Sequence, residues 1–288
     1  MNPASTCKFV AEVSSNHHQD LDRCLTFVRT ARQIGCHAVK FQLFKIDELF
    51  APEILAASET HRARKAWELP LEYLPHIAKC CREQDIQFGC TPFYLEAVKQ
   101  LAPHVDFFKI ASYELLWNDL LLACARTGKP LVLSTGMANA GEIRAAVNLL
   151  NAAGCQPTLL HTISAYPTPP EECNLSSIEA LRKLTHCPAG WSDHSRNPDI
   201  IRRAVLYWRS TMVEFHLDID GTGEEFSGGH CWTPNQIEPL IREFNIGALL
   251  DGDQAIRIAP SEWPDREWRA DPSDGLRPLK ALRKGFKP

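Results

Sequence analysis

Eight repetitions of one short pattern predict a single-domain α/β fold, a closed (β/α)8 TIM barrel. In each, an apolar or β-branched run ends on a polar residue and is followed by a helical stretch. The last residues of the runs are 30, 49, 19, 23, 28, 30 and 25 positions apart, close to one β-helix unit each except for the second gap. No linker or break in composition appears before residue 260. Two stacked doubly wound domains are the rival arrangement, and they would need such a break.

The runs, in order, are KFVAEVS (8–14), AVKFQLF (38–44), IQFGCTPF (86–93), FFKIAS (107–112), PLVLST (130–135), PTLLHTI (157–163), AGWSD (189–193) and MVEFHLD (212–218). Between them, segments such as LDRCLTFVRTARQIG and ELLWNDLLLACARTGKP carry apolar residues at i, i+3 and i+4. Gly35 and Gly128 fall where a helix C-cap is expected, and Pro130 opens the next strand. The long second gap holds a polar stretch, Pro52 to Trp67, which predicts an elaborated loop over one mouth of the barrel. The expected division is a barrel over 1–259 and a tail over 260–288, rich in Trp, Pro, Arg and Asp, packing on the barrel or its rim.

Composition narrows the function classes. At 288 residues and 44% hydrophobic, the chain can bury one large core. A net charge of -4 argues against a nucleic-acid or anionic-membrane partner. The start, MNPASTCKFV, has no secretory apolar region and no run approaches ~18 apolar residues, so a cytoplasmic location is expected. The eleven cysteines form no CxxC pair; Cys24, Cys124 and Cys155 lie on apolar faces, as reduced packing residues do.

Polar residues gather at the strand ends. They include Glu12, Asn16, His17, Lys40, Gln42, Thr91, Lys109, Ser112, Glu114, Ser134, Thr135, His161, Ser164, Tyr166, Ser192, Asp193, His194, Glu214 and His216. Parallel strands deliver their carboxyl ends to one face, so His194 and His216 should meet at one mouth. Along the last run Glu214, His216 and Asp218 alternate with Val213, Phe215 and Leu217. Such a buried polar file needs partners. A divalent metal would serve, and so would ordinary hydrogen bonds to structural histidines; both stay open here. Lys40 and Lys109 interrupt apolar runs, which suits either a phosphate or carboxylate site or pairing with a neighbouring glutamate inside the barrel. The glycine-rich GTGEEFSGGH stretch reads as a mobile loop more than a phosphate cradle.

Taken together in order, AEVSSNH (11–17), VKFQ (39–42), TPF (91–93), FKIASYE (108–114), GKPLVLSTGM (128–137), LLHTISAYPTP (159–169), GWSDH (190–194) and VEFHLD (213–218) resemble the sialic acid synthase family. These are the phosphoenolpyruvate-condensing N-acetylneuraminate synthases and their legionaminate and pseudaminate relatives. The resemblance implies condensation of phosphoenolpyruvate with an N-acylated hexosamine such as N-acetylmannosamine, giving a nonulosonate and phosphate. It implies that His194 and His216 hold a divalent metal, usually manganese, with magnesium or cobalt as alternatives. Phosphoenolpyruvate would be held by Lys40, Thr91, Lys109, Ser112, Ser134 and Ser192. Glu12, Glu114 and Lys109 would serve the chemistry, and Ser164 and Tyr166 would contact substrate. A homodimer is compatible with the resemblance.

This chain departs from the family pattern in four places. Ser14 stands where a glycine is usual, followed by His17-His18-Gln19-Asp20. Ser164 replaces a frequent asparagine. Gly229-His230 occupies the place of an Asp-His pair, and Glu224 or Glu225 is the nearest acidic substitute. The chain ends at Pro288, short of the antifreeze-like domain that supplies an arginine to the acylamino group; Arg269 and Arg277 are candidate replacements. These departures keep two further readings open: a non-catalytic barrel that binds phosphoenolpyruvate or a sugar acid, and a metal-dependent hydrolase or lyase sharing only the scaffold.

Overall fold

A computed structural model describes residues 7–253 and 255–285. Residues 1–6, 254 and 286–288 of the two expected segments lie outside them. The eight strands are β1 (Lys8–Glu12), β2 (Ala38–Leu43), β3 (Gln87–Pro92), β4 (Phe107–Ile110), β5 (Leu131–Ser134), β6 (Thr158–His161), β7 (Ala189–Asp193) and β8 (Met212–His216). They pair in sequence order, all parallel, and β1 closes on β8 to complete the barrel. Most strands stop one or two residues before the sequence pattern does, because the chain there bends into the mouth. Ser14, for example, already has a positive φ of 48°.

Helices α1 (Leu21–Gln33), α2 (Leu74–Glu83), α3 (Leu95–Leu101), α4 (Asn118–Ala125), α5 (Ala140–Ala152), α6 (Ser177–Thr185), α7 (Pro198–Arg202) and α8 (Pro234–Asp251) follow the strands. Their local signals are ordinary. Asp20 caps α1 by accepting from the Arg23 N–H at 3.1 Å, and Cys24, Phe27, Val28 and Ala31 bury one stripe against the sheet. Asn139 and Glu142 form a capping box on α5. Gly35 and Gly128 both take positive φ at helix ends, as their spacing predicts.

Two apolar layers result from the alternation along the strands. Outward side chains such as Phe9, Val39, Phe88, Phe108 and Phe215 join the helices in the main core. Inward, Val10, Ala38, Phe107, Val132 and Leu160, with Met212, form a separate cluster inside the barrel. A Cβ at Gly89 would run into the Phe107 ring, so only glycine leaves room for that plug. Two residues further along the chain from each of these stand Glu12, Lys40, Lys109, Ser134, Thr162 (just past the end of β6) and Glu214, all lining one cavity. The period of two thus converts an apolar floor into a polar mouth within one turn of the pleat.

The chain divides into two compact units, Met1–Ala248 and Leu249–Pro288. Within the second, the Arg283 guanidinium forks onto Asp274 at 2.6 and 2.8 Å, and Asp271 accepts from the Lys280 N–H at 2.8 Å. Among the described residues no helix is long and apolar enough to cross a membrane.

Candidate active site

The carboxyl ends of the strands surround a cavity of about 560 Å³. Of the predicted site residues, Glu12, Lys40, Thr91, Lys109, Ser112, Glu114, Ser134, Tyr166, Ser192, His194 and His216 all line it. Ser164 does not line it. Its hydroxyl lies beside that of Ser112, close to where a Cβ on Gly136 would fall. His161 and Asp193, also strand-end residues, serve the packing. His161 meets the Cys173 carbonyl at 2.9 Å, and Asp193 accepts from the indole N–H groups of Trp191 and Trp232 at 3.0 and 2.9 Å.

The floor of the cavity is an ion-paired network. Lys109 Nζ donates to Glu214 at 2.7 Å, and Lys40 lies 4.0 Å from the other Glu214 oxygen while pairing with Glu12. Lys40 also donates to Thr91 at 3.1 Å, and Ser192 to Glu214 at 3.2 Å. Gln42 and the Ser14 N–H hold Glu12 at 3.0 and 2.9 Å. Both lysines therefore converge on one carboxylate and face the same side. Burial disfavours the Glu214 charge, but Lys109 and Lys40 hold its pKa well below the ordinary range. Burial pulls Lys109 down, and the contact with Glu214 opposes that pull. The pairing expected of structural lysines and the exposure to a cavity expected of a binding site coexist here. Glu114 is different: burial pushes its pKa up to about 7, and its Oε2 has no hydrogen-bond partner among the described residues.

Beside this floor, where His216 is in register with Glu12, three imidazoles cluster. His194 and His216 have ring centroids 5.3 Å apart, and His230 lies 4.8 Å from His216 and 6.4 Å from His194. Tyr166 covers them, 4.1 Å from the His194 ring and 4.9 Å from His230. The His194 Nδ1 lies 2.8 Å from the Ile163 carbonyl, which can only accept, so this nitrogen carries the proton and Nε2 keeps its lone pair. Burial and the neighbouring His216 push the His194 pKa down to about 3, so the ring is neutral near pH 7. His216 Nδ1 meets the Glu225 carboxylate at 2.8 Å, again leaving Nε2 unused. Among the described residues both nitrogens of buried His230 lack a hydrogen-bond partner, and its Nε2 lies 3.6 Å from Glu225. Donor atoms of His216, Glu225, His230 and Cys231 all fall within 4.8 Å of one another. Burial disfavours the His216 charge, but the Glu225 carboxylate raises its pKa, so a metal at its Nε2 would displace a proton. Imidazoles with protein-held Nδ1 protons and a neighbouring carboxylate suit a divalent metal.

A family model described as the NeuB family matches residues 27–255. The chain belongs to the NeuB family. An uncharacterised protein of Methanocaldococcus jannaschii is 38% identical over 256 residues, covering 88% of this chain and 74% of that one. The N,N'-diacetyllegionaminic acid synthase of Campylobacter jejuni is 34% identical over 271 residues, covering 88% and 80%. Among solved structures, the N-acetylneuraminic acid synthetase of Leptospira borgpetersenii, crystallised with citrate, superposes with a TM-score of 0.78 at 28% identity over 93% of both chains.

Within this NeuB barrel, Ser14 touches Glu225, one of the two acidic candidates near Gly229. Ser14 Oγ donates to Glu225 Oε1 at 2.6 Å, and Glu225 Oε2 is the oxygen that meets His216. Of the two acidic candidates on this loop, Glu225, and not the exposed Glu224, lines the cavity. Nor is its loop loose. The Glu225 N–H donates to Asn16 at 2.9 Å, the Gly223 N–H to Asp218 at 3.2 Å, and Arg23 clamps Asp218 and Asp220 at 2.8 and 2.6 Å. His230 and Arg64 also reach the cavity. In the sequence His230 stands out only as the neighbour of Gly229 and by its place after the last strand of a His-rich mouth.

Proposed function

We propose that this protein condenses phosphoenolpyruvate with the open-chain aldehyde of an N-acylated hexosamine, giving a nonulosonate and phosphate in a metal-dependent reaction. The observation that carries the proposal is one cavity lined by two lysines, four hydroxyls and two histidines whose Nδ1 atoms are held by the protein. Lys40, Lys109, Thr91, Ser112, Ser134 and Ser192 take the phosphate and carboxylate of phosphoenolpyruvate, with Glu12 and Glu214 balancing the lysine charges before it enters. His194 and His216 hold the metal, manganese being our choice, with Glu225 fixing the His216 ring. A metal bound there supplies Lewis acidity toward the acceptor's aldehyde oxygen.

In the reaction, C3 of phosphoenolpyruvate forms a carbon–carbon bond to the aldehyde carbon as positive charge develops at C2. Water adds at C2, and phosphate departs with the bridging oxygen. The lysines stabilise the phosphate as it leaves. Glu12, fixed by Gln42 and Ser14, and Glu114, partly neutral near pH 7, are the groups placed to orient the water and move protons. Tyr166 forms the sugar-facing wall over the histidines. Mixing the protein with manganese, phosphoenolpyruvate and a panel of hexosamines tests the proposal. Phosphate release that requires both metal and one acceptor supports it; release without acceptor, or none with any acceptor, refutes it.

Two further results are expected. Glu225→Gln should weaken manganese binding, read by electron paramagnetic resonance of the free ion, by roughly ten- to a hundredfold. Unchanged affinity would mean that the carboxylate does not orient His216. Glu114→Gln should change the pH dependence of stability. A carboxyl raised to about 7 when folded binds its proton more tightly than the unfolded chain does, so wild type loses stability between about pH 4.5 and 7. Relative to wild type, the glutamine variant should gain up to roughly 3 kcal/mol across that window and nothing below it. Urea unfolding at pH 4.5 and 7.5 measures the difference; a constant difference would show that Glu114 is not raised.

A further inference from the structure

Arg64 is a cation in the mouth with no counter-ion among the described residues. It lines the same cavity as Lys40, Lys109 and His194. Among the described residues its guanidinium forms no ion pair or hydrogen bond, and its Nε is buried without a partner. Of the cavity's acidic groups, Glu12 is engaged with Lys40, Glu214 with Lys109, and Glu225 with His216 and Ser14, while Glu114, raised toward its neutral form, makes no ion pair with Arg64 among the described residues. A guanidinium cannot shed its proton, so a partly buried one without an acceptor is a cost that a ligand can remove.

The position of Arg64 is built. It opens the short helical turn Arg64–Trp67 of the connection between β2 and α2, and lies 5.4 Å from the Trp67 ring centroid and 5.7 Å from that of Phe50. That connection is tied down from two sides. Gln19 Nε2 donates to the Lys65 and Glu68 carbonyls at 3.2 and 2.9 Å, and the Ile46 N–H donates to the Glu68 carboxylate at 2.8 Å. The aromatic stack sets the plane of the fork, and these bonds hold its backbone over the strand ends.

We propose that Arg64 anchors a phosphate carried by the acceptor sugar, so that this barrel takes a phosphorylated N-acylhexosamine. The inference rests on the condensation reading above. There, phosphoenolpyruvate occupies the lysines and hydroxyls of the strand ends, and the acceptor lies between it and the loop that carries Arg64. A planar fork flanked by rings, with an unpaired buried donor, suits the bidentate geometry of a phosphate; neutral hydroxyls leave its charge uncompensated.

Equilibrium binding tests this without turnover. N-acetylmannosamine, its 6-phosphate and phosphoenolpyruvate are titrated separately into manganese-loaded wild type, Arg64→Met and Arg64→Lys. Wild type should bind the phosphorylated sugar about ten- to a hundredfold more tightly than the free sugar. Arg64→Met should erase that preference while leaving phosphoenolpyruvate affinity within about threefold, and Arg64→Lys should retain part of it. Equal affinity for the two sugars in wild type overturns the proposal, as does a preference that survives in Arg64→Met. A parallel loss of phosphoenolpyruvate binding would instead assign Arg64 to the other substrate. Phosphorylated-sugar binding that depends on Arg64 but yields no phosphate release would sustain this inference and sink the condensation reading.

Discussion

His194→Ala or His216→Ala is expected to lower acceptor-dependent phosphate release by about a thousandfold or more. Each ring commits Nδ1 to a protein acceptor, the Ile163 carbonyl or the Glu225 carboxylate, and leaves Nε2 toward the cavity. Removing either ring leaves one of the two imidazole donors that the reading requires. The His216 substitution also strands Glu225, whose pKa is held far below the ordinary range by the neighbouring His216 against the effect of burial. It should therefore destabilise the fold as well, which the His194 substitution should do less. Rates and manganese binding measured on both variants check this. If both retain rates within tenfold of wild type, the histidines are structural and the metal reading fails.

Lys109→Met should cost about 3–5 kcal/mol of stability, because it removes the near partner of a buried carboxylate. Glu214 would keep Lys40 at 4.0 Å and the Ser192 hydroxyl at 3.2 Å, neither equal to the 2.7 Å contact it loses. Phosphoenolpyruvate binding should fall in the same variant. The double variant Lys109→Met, Glu214→Leu separates the two roles: it removes both charges and should recover most of the stability, yet no binding. Denaturant unfolding beside phosphoenolpyruvate titration measures both. Recovery of binding in the double variant would show that Lys109 serves only the packing.

The barrel was legible because a parallel strand buried on both faces writes its register into sequence. Phe107 and Lys109, or Met212 and Glu214, differ by two positions and so share the inner face, and the change from apolar to polar marks where floor becomes mouth. Two lysines in apolar runs could not by themselves decide between a structural pair and an anion site, and the structure shows why: they are both paired and cavity-lining. What escaped the sequence lies in loops. Glu225 meets Ser14 across 211 positions, and no local pattern encodes a contact of that span. Asn16, Asp218 and Arg23 convert the glycine-rich stretch from an expected mobile loop into a fixed arm of the site. Arg64 was equally hidden, since an arginine in a polar helical insertion is ordinarily solvated and only the rings of Phe50 and Trp67 give it a place.

The most direct test of the condensation itself uses phosphoenolpyruvate labelled with oxygen-18 at the bridging position, supplied with manganese and the acceptor that supports release. Carbon–oxygen cleavage after carbon–carbon bond formation should place the label in the phosphate, one equivalent for each equivalent of a keto acid heavier than the acceptor. Label retained in pyruvate, or labelled phosphate formed at the same rate without acceptor, would contradict it.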